Sequence, residues 1–233
     1  IKALLRDEAK APQWLKKENR IIGNATEQSK VMQAAEGADL IVYGLNPAYH
    51  RWHMEALALL EPSITAAEDL GIRFLFPGNV YNFAPSETRI AESHAMKPVT
   101  EKGIIRVAME ARLRKASEQG AKITIVRAGD FIGPHAHMTW MNMVLKEKKG
   151  KVKMSFPHDE THVHYWSYLP DLCTNAATLI DMQQSAFEVW HDPGLTLSRA
   201  DWKKAFAANG HSLNTSNFSW WGLKLISPIA PMI

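Results

Sequence analysis

Short apolar runs alternate with longer stretches of helical periodicity along the first half of the chain. The strand-like runs cover residues 1–5, 39–45, 72–76 and 122–127, and each is rich in Ile, Val, Leu or Phe without alternation. Continuous apolar runs of this length are typical of parallel strands that are buried on both faces. The helical stretches cover residues 28–36, 50–70 and 100–119, and Gly71 and Gly120 are placed to end two of them. This order predicts an α/β fold with a doubly wound parallel sheet.

The pattern changes after Arg127, where loops lengthen and His, Trp and Pro become frequent. We expect a helix over 138–148, strands over 151–156, 162–168 and 186–190, and a helix that begins near Pro170. Ser198 is predicted to cap a helix over 199–209, which Gly210 ends. The predicted organisation is a core domain over residues 1–134 and a smaller substrate-side lobe over 135–233, with some segments of the lobe returning to the core.

Composition narrows the class of protein. The chain has 233 residues, of which 46% are hydrophobic and 22% charged, and this excludes a disordered, collagen-like or coiled-coil chain. The single cysteine, Cys173, excludes an internal disulfide and favours a cytoplasmic location, with a Cys-poor secreted protein as the alternative. The net charge of +3 argues against a nucleic-acid partner. No apolar stretch reaches the ~18–20 residues that span a bilayer. The apolar tail over residues 218–233 has the composition of an interfacial membrane helix, but Lys224 is its one charge, so we expect it to pack on the lobe or on a partner subunit, with no membrane association.

The residues that follow the apolar runs are candidates for a ligand site, because ligands bind beyond the carboxyl ends of strands in open α/β sheets. Glycine recurs at these ends as Gly23, Gly44, Gly78 and Gly129. Such glycines let the backbone approach a flat ligand, although glycine also ends strands where no ligand binds. Arg6 follows the first run and favours NADP over NAD as the cofactor, unless it is a plain surface residue.

The order of several segments resembles the extended and atypical short-chain dehydrogenase/reductases, the NAD(P)-dependent epimerase/dehydratase group. The likeness rests on IKALLRDEAKAP, GNATEQSKVMQAAEGADLIVY, GIRFLFPGNVYNF, MKPVTEKGIIRVAMEARL, IVRAGDFIGP and HVHYWSYLPDLC. The resemblance implies a Rossmann-like core in which the chain begins at the second strand, so that the family's first strand and Gly-rich turn are missing. It also implies NADP or NAD as cofactor, with contacts from Arg6, Asn24, Ala25, Gly44, Leu45, Asn46, Pro77, Gly78, Arg106, Arg127 and Gly129.

The catalytic set departs from the family pattern of Ser, Tyr and Lys. Alignment on the resemblance places Pro77 at the Ser position, Lys102 at the Tyr position and Arg106 at the Lys position. Arg106 cannot release its proton, so the usual Tyr/Lys proton relay is absent. The candidate substitutes are Tyr81 as proton donor or acceptor, Lys102 as an acid with a depressed pKa, and Asn79 to orient a carbonyl.

The second half contributes a candidate substrate cleft lined by imidazole and indole rings. His137, Trp140, His164 and Trp166 are suited to contact a sugar-like or aromatic ligand, although the same aromatics also suit simple packing. The spacings that mark a zinc site are missing, so we expect no metal.

Two functions from different classes remain open, and a partner-binding scaffold that has lost the nucleotide site is a third possibility. The first is an NAD(P)-dependent oxidoreductase or epimerase that acts on a carbonyl or hydroxyl group of a small molecule such as a nucleotide sugar. The second is a non-catalytic redox sensor similar to the NmrA-like proteins, which binds the dinucleotide without turnover. Either protein would be consistent with a homodimer.

Overall fold

Parallel strands that alternate with helices dominate the structure, a computed structural model that describes residues 1–85, 89–136, 139–157, 160 and 162–218. The elements follow in chain order as β1 (Ala3–Leu5), β2 (Arg20–Ile22), α1 (Gln28–Ala35), β3 (Leu40–Val42), α2 (Trp52–Leu70), β4 (Arg73–Gly78), α3 (Glu101–Glu118), β5 (Lys122–Arg127), β6 (Asp130–Ile132), α4 (Trp140–Val144), β7 (Leu145–Lys148), β8 (Lys151–Phe156), β9 (Val163–Tyr168), α5 (Leu169–Met182), β10 (Phe187–His191), β11 (Leu195–Ser198), α6 (Arg199–Ala208) and β12 (Leu213–Asn217).

The chain divides into two units. Unit 1 comprises Ile1–Arg127 and Ala176–His191, and unit 2 comprises Ala128–Asn175 and Asp192–Ile233. The apolar tail from residue 219 onward lies outside the described residues. Within the described parts of the chain, no helix is both long and apolar enough to cross a membrane.

The described residues of unit 1 form only parallel strand pairs, which confirms the predicted α/β fold with a Rossmann-like sheet. β1 pairs with β2, and a second sheet has the order β10-β5-β4-β3. The predicted strands and helices of this half agree with the observed ones to within a few residues. Gly71 ends α2 in the left-handed conformation with a φ of 63°, as the sequence predicts.

The core of unit 1 lies between the second sheet and helices α2 and α3. Its fully buried members come from α2, β4, α3, β5 and the residue before β5, namely Leu60, Ile64, Ala67, Phe74, Phe76, Leu113, Ala116, Ala121, Ile123 and Ile125. A second cluster joins Val31 and Ala35 of α1 to Ala66 of α2, and both Leu4 of β1 and Ile41 of β3 pack against it. The same helix layer therefore supports both sheets.

The described residues of unit 2 form two three-stranded sheets with the orders β11-β9-β6 and β12-β8-β7. The predicted strands over 151–156 and 162–168 are confirmed, and Ser198 caps α6 with a reciprocal capping box to Asp201. Trp166, Met154 and Phe156 form the centre of its core, with Val144 and Leu213.

The predicted helix over 138–148 is wrong beyond Val144. Residues 145–148 form β7, which pairs antiparallel with β8 through a two-residue turn at Lys149 and Gly150. Both turn residues have positive φ, 52° and 73°, and this is the geometry of tight hairpin turns. Pairing with a neighbouring strand outweighs the helical preference of the Leu-Lys-Glu-Lys sequence.

Substitution of Leu113 by Ala should cost about 2–5 kcal/mol of unfolding free energy, because it leaves a cavity in a fully buried site. Leu57→Ala on α2 is the matched control, since its side chain is 42% exposed. Chemical denaturation followed by circular dichroism measures the unfolding free energy of both variants. Equal losses for the two variants would contradict the placement of the core.

Candidate functional site

Two cations and three aromatic rings gather where α3 begins. Lys102 and Arg106 share one face of the helix, as their spacing of four residues predicts. The Lys102 Nζ lies 4.1 Å from the centre of the Tyr49 ring, and the Arg106 Cζ lies 4.7 Å from that of Trp52. The ring of Tyr81 lies 6.4 Å from that of Trp52. We call these five side chains the cation–aromatic cluster.

Tyr81 reaches this cluster because the chain after β4 is held in a fixed turn. The side-chain oxygen of Asn79 accepts a hydrogen bond from the Tyr81 backbone N–H at 3.1 Å. Gly103 of α3 packs directly on the same turn, and a Cβ at that position would overlap the Tyr81 carbonyl oxygen. The absence of a side chain at Gly103 therefore lets the start of α3 and the Tyr81 turn approach closely.

Arg106 carries an unsatisfied donor within this cluster. One terminal nitrogen donates to the Pro77 carbonyl at 3.4 Å, whereas the Nε–H is buried and has no hydrogen-bond partner among the described residues. The hydroxyl of Tyr43, directly after β3, is likewise buried without a partner in the described part of the chain. Unpaired buried polar groups cost about 1–3 kcal/mol each, so they mark a place where a ligand can add hydrogen bonds. Sequence reasoning missed Tyr43, and its position at a strand end was the signal.

Burial shifts the protonation equilibria of this cluster. It lowers the pKa of the Lys102 ammonium from its ordinary value, because the charged form loses water. It also lowers the pKa of Arg106, an effect that Tyr43, Tyr49 and Tyr81 oppose. Burial raises the pKa of Tyr43, and the nearby Arg106 charge opposes that shift. Lys102 therefore releases its proton more readily than an exposed lysine does.

A buried ionic network lies behind the cluster, at the carboxyl end of β5. Arg127 and Glu110 are each 3% exposed and form a two-pronged ion pair, with N–O distances of 3.0 and 2.6 Å. A further nitrogen of Arg127 lies 3.1 Å from His191 Nε2, and the guanidinium stands 5.0 Å from the centre of the Phe83 ring. The structure thus gives Arg127 a packing role, and its contact with a cofactor stays a prediction.

His191 is held in one neutral tautomer by its neighbours. Arginine only donates, so Nε2 accepts from Arg127, and the Nδ1–H donates to the Ile90 carbonyl at 3.0 Å. The backbone N–H of His191 donates to a Glu92 carboxylate oxygen at 3.0 Å. Desolvation, followed by the Arg127 charge, lowers the pKa of His191 from its ordinary value.

The other predicted cofactor contacts occupy varied environments. Arg6 and the segment Gly44–Leu45–Asn46 are exposed directly after β1 and β3, whereas Ala25 is buried. Asn24 caps its own turn, accepting from the Thr26 N–H at 3.2 Å and donating its backbone N–H to Glu27 at 3.0 Å.

Two of the predicted glycines have packing reasons for lacking a side chain. A Cβ on Gly78 would lie 2.8 Å from the Arg127 side chain. Gly129 belongs to unit 2, where it donates to the Ser167 hydroxyl at 3.1 Å and a Cβ would lie 2.5 Å from the Tyr165 carbonyl oxygen.

Unit 2 contains a cavity of about 160 Å³ that brings three of the four predicted substrate residues together. Trp140, His164 and Trp166 line it, and His137 lies outside the described residues. The remaining walls are mainly apolar and come from Val144, Met154, Phe156 and Pro157, with Ser155 and Asp130. Sequence reasoning missed Asp130, whose carboxylate oxygen lies 2.7 Å from His164 Nε2. Searched over the described residues, the chain has no group of three His, Cys, Asp or Glu side chains that could hold a metal ion.

Comparison with known proteins yields structural matches only. No family model matches the chain, and no curated protein sequence matches it. The UDP-N-acetylglucosamine 4-epimerase of Bacillus cereus superposes with a TM-score of 0.69 at 12% identity, over 92% of this chain and 75% of that one. The chain shares the fold of such epimerases.

Two structures with NAD bound have the same fold. The UDP-glucose 4-epimerase of Thermus thermophilus, in complex with NAD, gives a TM-score of 0.63 at 16% identity, over 87% of this chain and 75% of that one. A double mutant of the dTDP-glucose 4,6-dehydratase of Streptomyces venezuelae, with NAD bound, gives 0.65 at 17% identity, over 86% and 67%. The resemblance seen in the order of sequence segments is therefore confirmed at the level of the fold.

Stability should fall as the pH falls through the window between the ordinary histidine pKa near 6.5 and the lowered pKa of His191. In that window the unfolded chain binds a proton that the folded protein excludes, so acid favours unfolding. His191→Gln should reduce this loss, because the amide keeps an acceptor for Arg127 and does not titrate. The difference between the denaturation midpoints at pH 7.5 and pH 5.5 measures this loss of stability, and His53→Gln, at an exposed position, is the control. An unchanged pH dependence in His191→Gln would contradict the assigned tautomer.

Proposed function

We propose that the protein is an NAD(P)-dependent oxidoreductase or epimerase that acts on a carbonyl or hydroxyl carbon of a small molecule. The observation that carries the proposal is the cation–aromatic cluster beside the carboxyl ends of β3 and β4. This is the edge at which open α/β sheets bind ligands. Structures that share the fold contain NAD and belong to enzymes named for small-molecule substrates, and these names support a nicotinamide cofactor and a small-molecule substrate here.

The residues of unit 1 fit a dinucleotide at this edge. The buried Arg106 Nε–H and Tyr43 hydroxyl lack partners within the described residues, so they have hydrogen-bonding capacity to offer. The exposed Gly44 has open space around its Cα, which leaves room for a flat ligand against the backbone. A bound nicotinamide dinucleotide supplies hydride transfer, and the protein supplies binding, orientation and proton transfer.

Tyr81 and Lys102 are proposed as the proton-transfer groups. The Asn79 hydrogen bond and the close contact with Gly103 fix the backbone of Tyr81. Lys102 is suited to give up a proton because burial lowers its pKa. Arg106 keeps its charge and is proposed to bind a hydroxyl or phosphate oxygen, since arginine remains protonated even when partly buried.

The redox-sensor alternative is favoured by one specific residue. Pro77, at the position that the resemblance assigns to Ser, has no hydroxyl that could donate a hydrogen bond to a substrate carbonyl. The absence of this donor argues for dinucleotide binding without turnover. A homodimer remains a prediction for either function.

Fluorescence titration with NADPH and NADH tests the cofactor proposal. Arg6 is exposed and makes no hydrogen bond within the described residues, so it is available to a 2′-phosphate. Arg6→Ala should weaken NADPH binding about 10–100-fold and leave NADH binding nearly unchanged, because a charge-assisted hydrogen bond contributes ~1.5–3 kcal/mol. Lys122→Ala, at the opposite end of β5, is the control. No binding of either dinucleotide would overturn both functions, and equal losses would remove the NADP preference.

Turnover of carbonyl substrates tests the catalytic residues. Tyr81→Phe and Lys102→Ala should each lower kcat about 10²–10⁴-fold, because each removes a proton-transfer group. NADPH affinity should persist in Tyr81→Phe, and Tyr165→Phe, an exposed tyrosine of β9, should behave as the wild type. Turnover that neither substitution lowers contradicts the assignment. Tight dinucleotide binding without turnover of any substrate would support the sensor instead.

A further inference from the structure

The cavity in unit 2 is too small for a nucleotide sugar. Its volume is about 160 Å³. An apolar cavity of ~150 Å³ holds one benzene ring, whereas pockets that enclose drug-sized ligands have ~300–1,000 Å³. The cavity therefore matches a single six-membered ring or a branched alkyl group of the same size.

The walls of the cavity are apolar, with polar groups confined to a few positions. Trp140, Val144, Met154, Phe156 and Trp166 present rings, methyl groups and a thioether. The hydroxyl of Ser155, which also lines the cavity, lies 3.2 Å from the Ser216 hydroxyl and is paired with it. A nucleobase carries several donors and acceptors, and walls of this kind would leave most of them unpaired.

Asp130 is the carboxylate of the cavity's described lining, and one of its two oxygens already has a hydrogen-bond partner. A carboxylate only accepts, so His164 carries its proton on Nε2 and donates to Asp130 Oδ2 at 2.7 Å. The other oxygen, Oδ1, accepts nothing within the described residues. The Asp130 and His164 side chains are 28% and 33% exposed, so the pair lies where the cavity meets solvent. The centre of the His164 ring also lies 4.6 Å from that of Trp166, with the two rings tilted by 53°, and this contact restricts the orientation of the imidazole.

Trp166 adds an unused donor. Its side chain is 4% exposed, and its indole N–H has no hydrogen-bond partner among the residues that the structure describes. Lysine and arginine are absent from the described lining of the cavity. An anionic group would thus meet the Asp130 charge without a compensating cation, whereas a hydroxyl or an amine can pair with Asp130.

We propose that this cavity binds one ring-sized apolar group that carries a hydroxyl or amine, with that group donating to Asp130, and that it rejects anionic groups and nucleobases. The inference deepens the proposed function, and it rests on that function only in making the ring a part of the substrate. It assigns the substrate to uncharged or cationic aromatic alcohols and amines, a class distinct from the nucleotide sugars.

Binding of four small probes to the full chain at pH 8 tests the proposal. Benzylamine and benzyl alcohol should bind, and benzoate and uridine should bind at least about tenfold more weakly. Asp130→Asn keeps the shape of the side chain and should abolish the preference for benzylamine over benzoate. Asp171→Asn, an exposed aspartate of α5, should keep it.

A second pair of variants tests whether the probes bind inside the cavity. Val144→Phe fills part of it and should weaken every bound probe about tenfold, whereas Val163→Phe, 49% exposed on β9, should not. Circular dichroism verifies that both variants fold. Benzoate or uridine binding as tightly as benzylamine, or an unaltered preference in Asp130→Asn, overturns the proposal.

A parallel NADPH titration on the same samples separates the two hypotheses. If the probes bind and neither dinucleotide does, the proposed oxidoreductase function is wrong and the cavity proposal stands. If a dinucleotide binds and the cavity shows no preference among the probes, the cavity proposal is wrong and the oxidoreductase function stands.

Discussion

The buried ion pair between Arg127 and Glu110 is the constraint on which the arrangement of unit 1 depends. Each partner is almost fully removed from water, so each needs the other, and the loss of one partner of such a pair costs about 3–5 kcal/mol. The pair joins α3 to the end of β5 and thereby fixes which face of the helix turns toward the sheet. Lys102, Arg106 and Glu110 follow one another at intervals of four residues and so share one face of α3. The ion pair that orients Glu110 therefore also sets the direction in which Lys102 and Arg106 face.

The cation–aromatic cluster is a consequence of that orientation. With Glu110 committed to Arg127, Arg106 is directed to the Pro77 carbonyl at the end of β4 and to the ring of Trp52. Desolvation then acts on Lys102 and Arg106 together, and it lowers the pKa of both. The aromatic rings offset part of the cost of partial burial by cation–π attraction. The cluster therefore holds positive charge beside the carboxyl ends of β3 and β4, and such charge attracts anionic ligands.

The candidate site in unit 2 is an apolar cavity rather than a cluster of cations. Its cavity lies among aromatic side chains of α4, β8 and β9, and the charge on its described lining is a carboxylate that His164 orients. An apolar cavity with a carboxylate acceptor at its mouth discriminates by size and by the sign of charge. Those two criteria favour small neutral or cationic rings, even though enzymes with the same fold are named for nucleotide sugars.

Much of the fold could be predicted from local sequence pattern. Burial of both faces leaves continuous apolar runs, so β3, β4 and β5 were recognisable, and helical periodicity with terminal glycines marked α2 and α3. The hairpin of β7 and β8 was missed because its stability comes from pairing across strands rather than from residues within a window. The spacing of Lys102 and Arg106 was likewise a local property, and it placed both on one helix face.

The sequence by itself determined the α/β class, the helices α1 to α3 and the candidate cations of α3, because these depend on residues close together in the chain. Tertiary structure alone decided that Arg127 pairs with Glu110, 17 residues away, and with His191, 64 residues away. It alone left the Tyr43 hydroxyl buried and unpaired among the described residues, and brought Asp130 to His164 across 34 residues. Partners so far apart are chosen by packing and by the cost of burying an unpaired charge, and neither leaves a periodic signal in the chain.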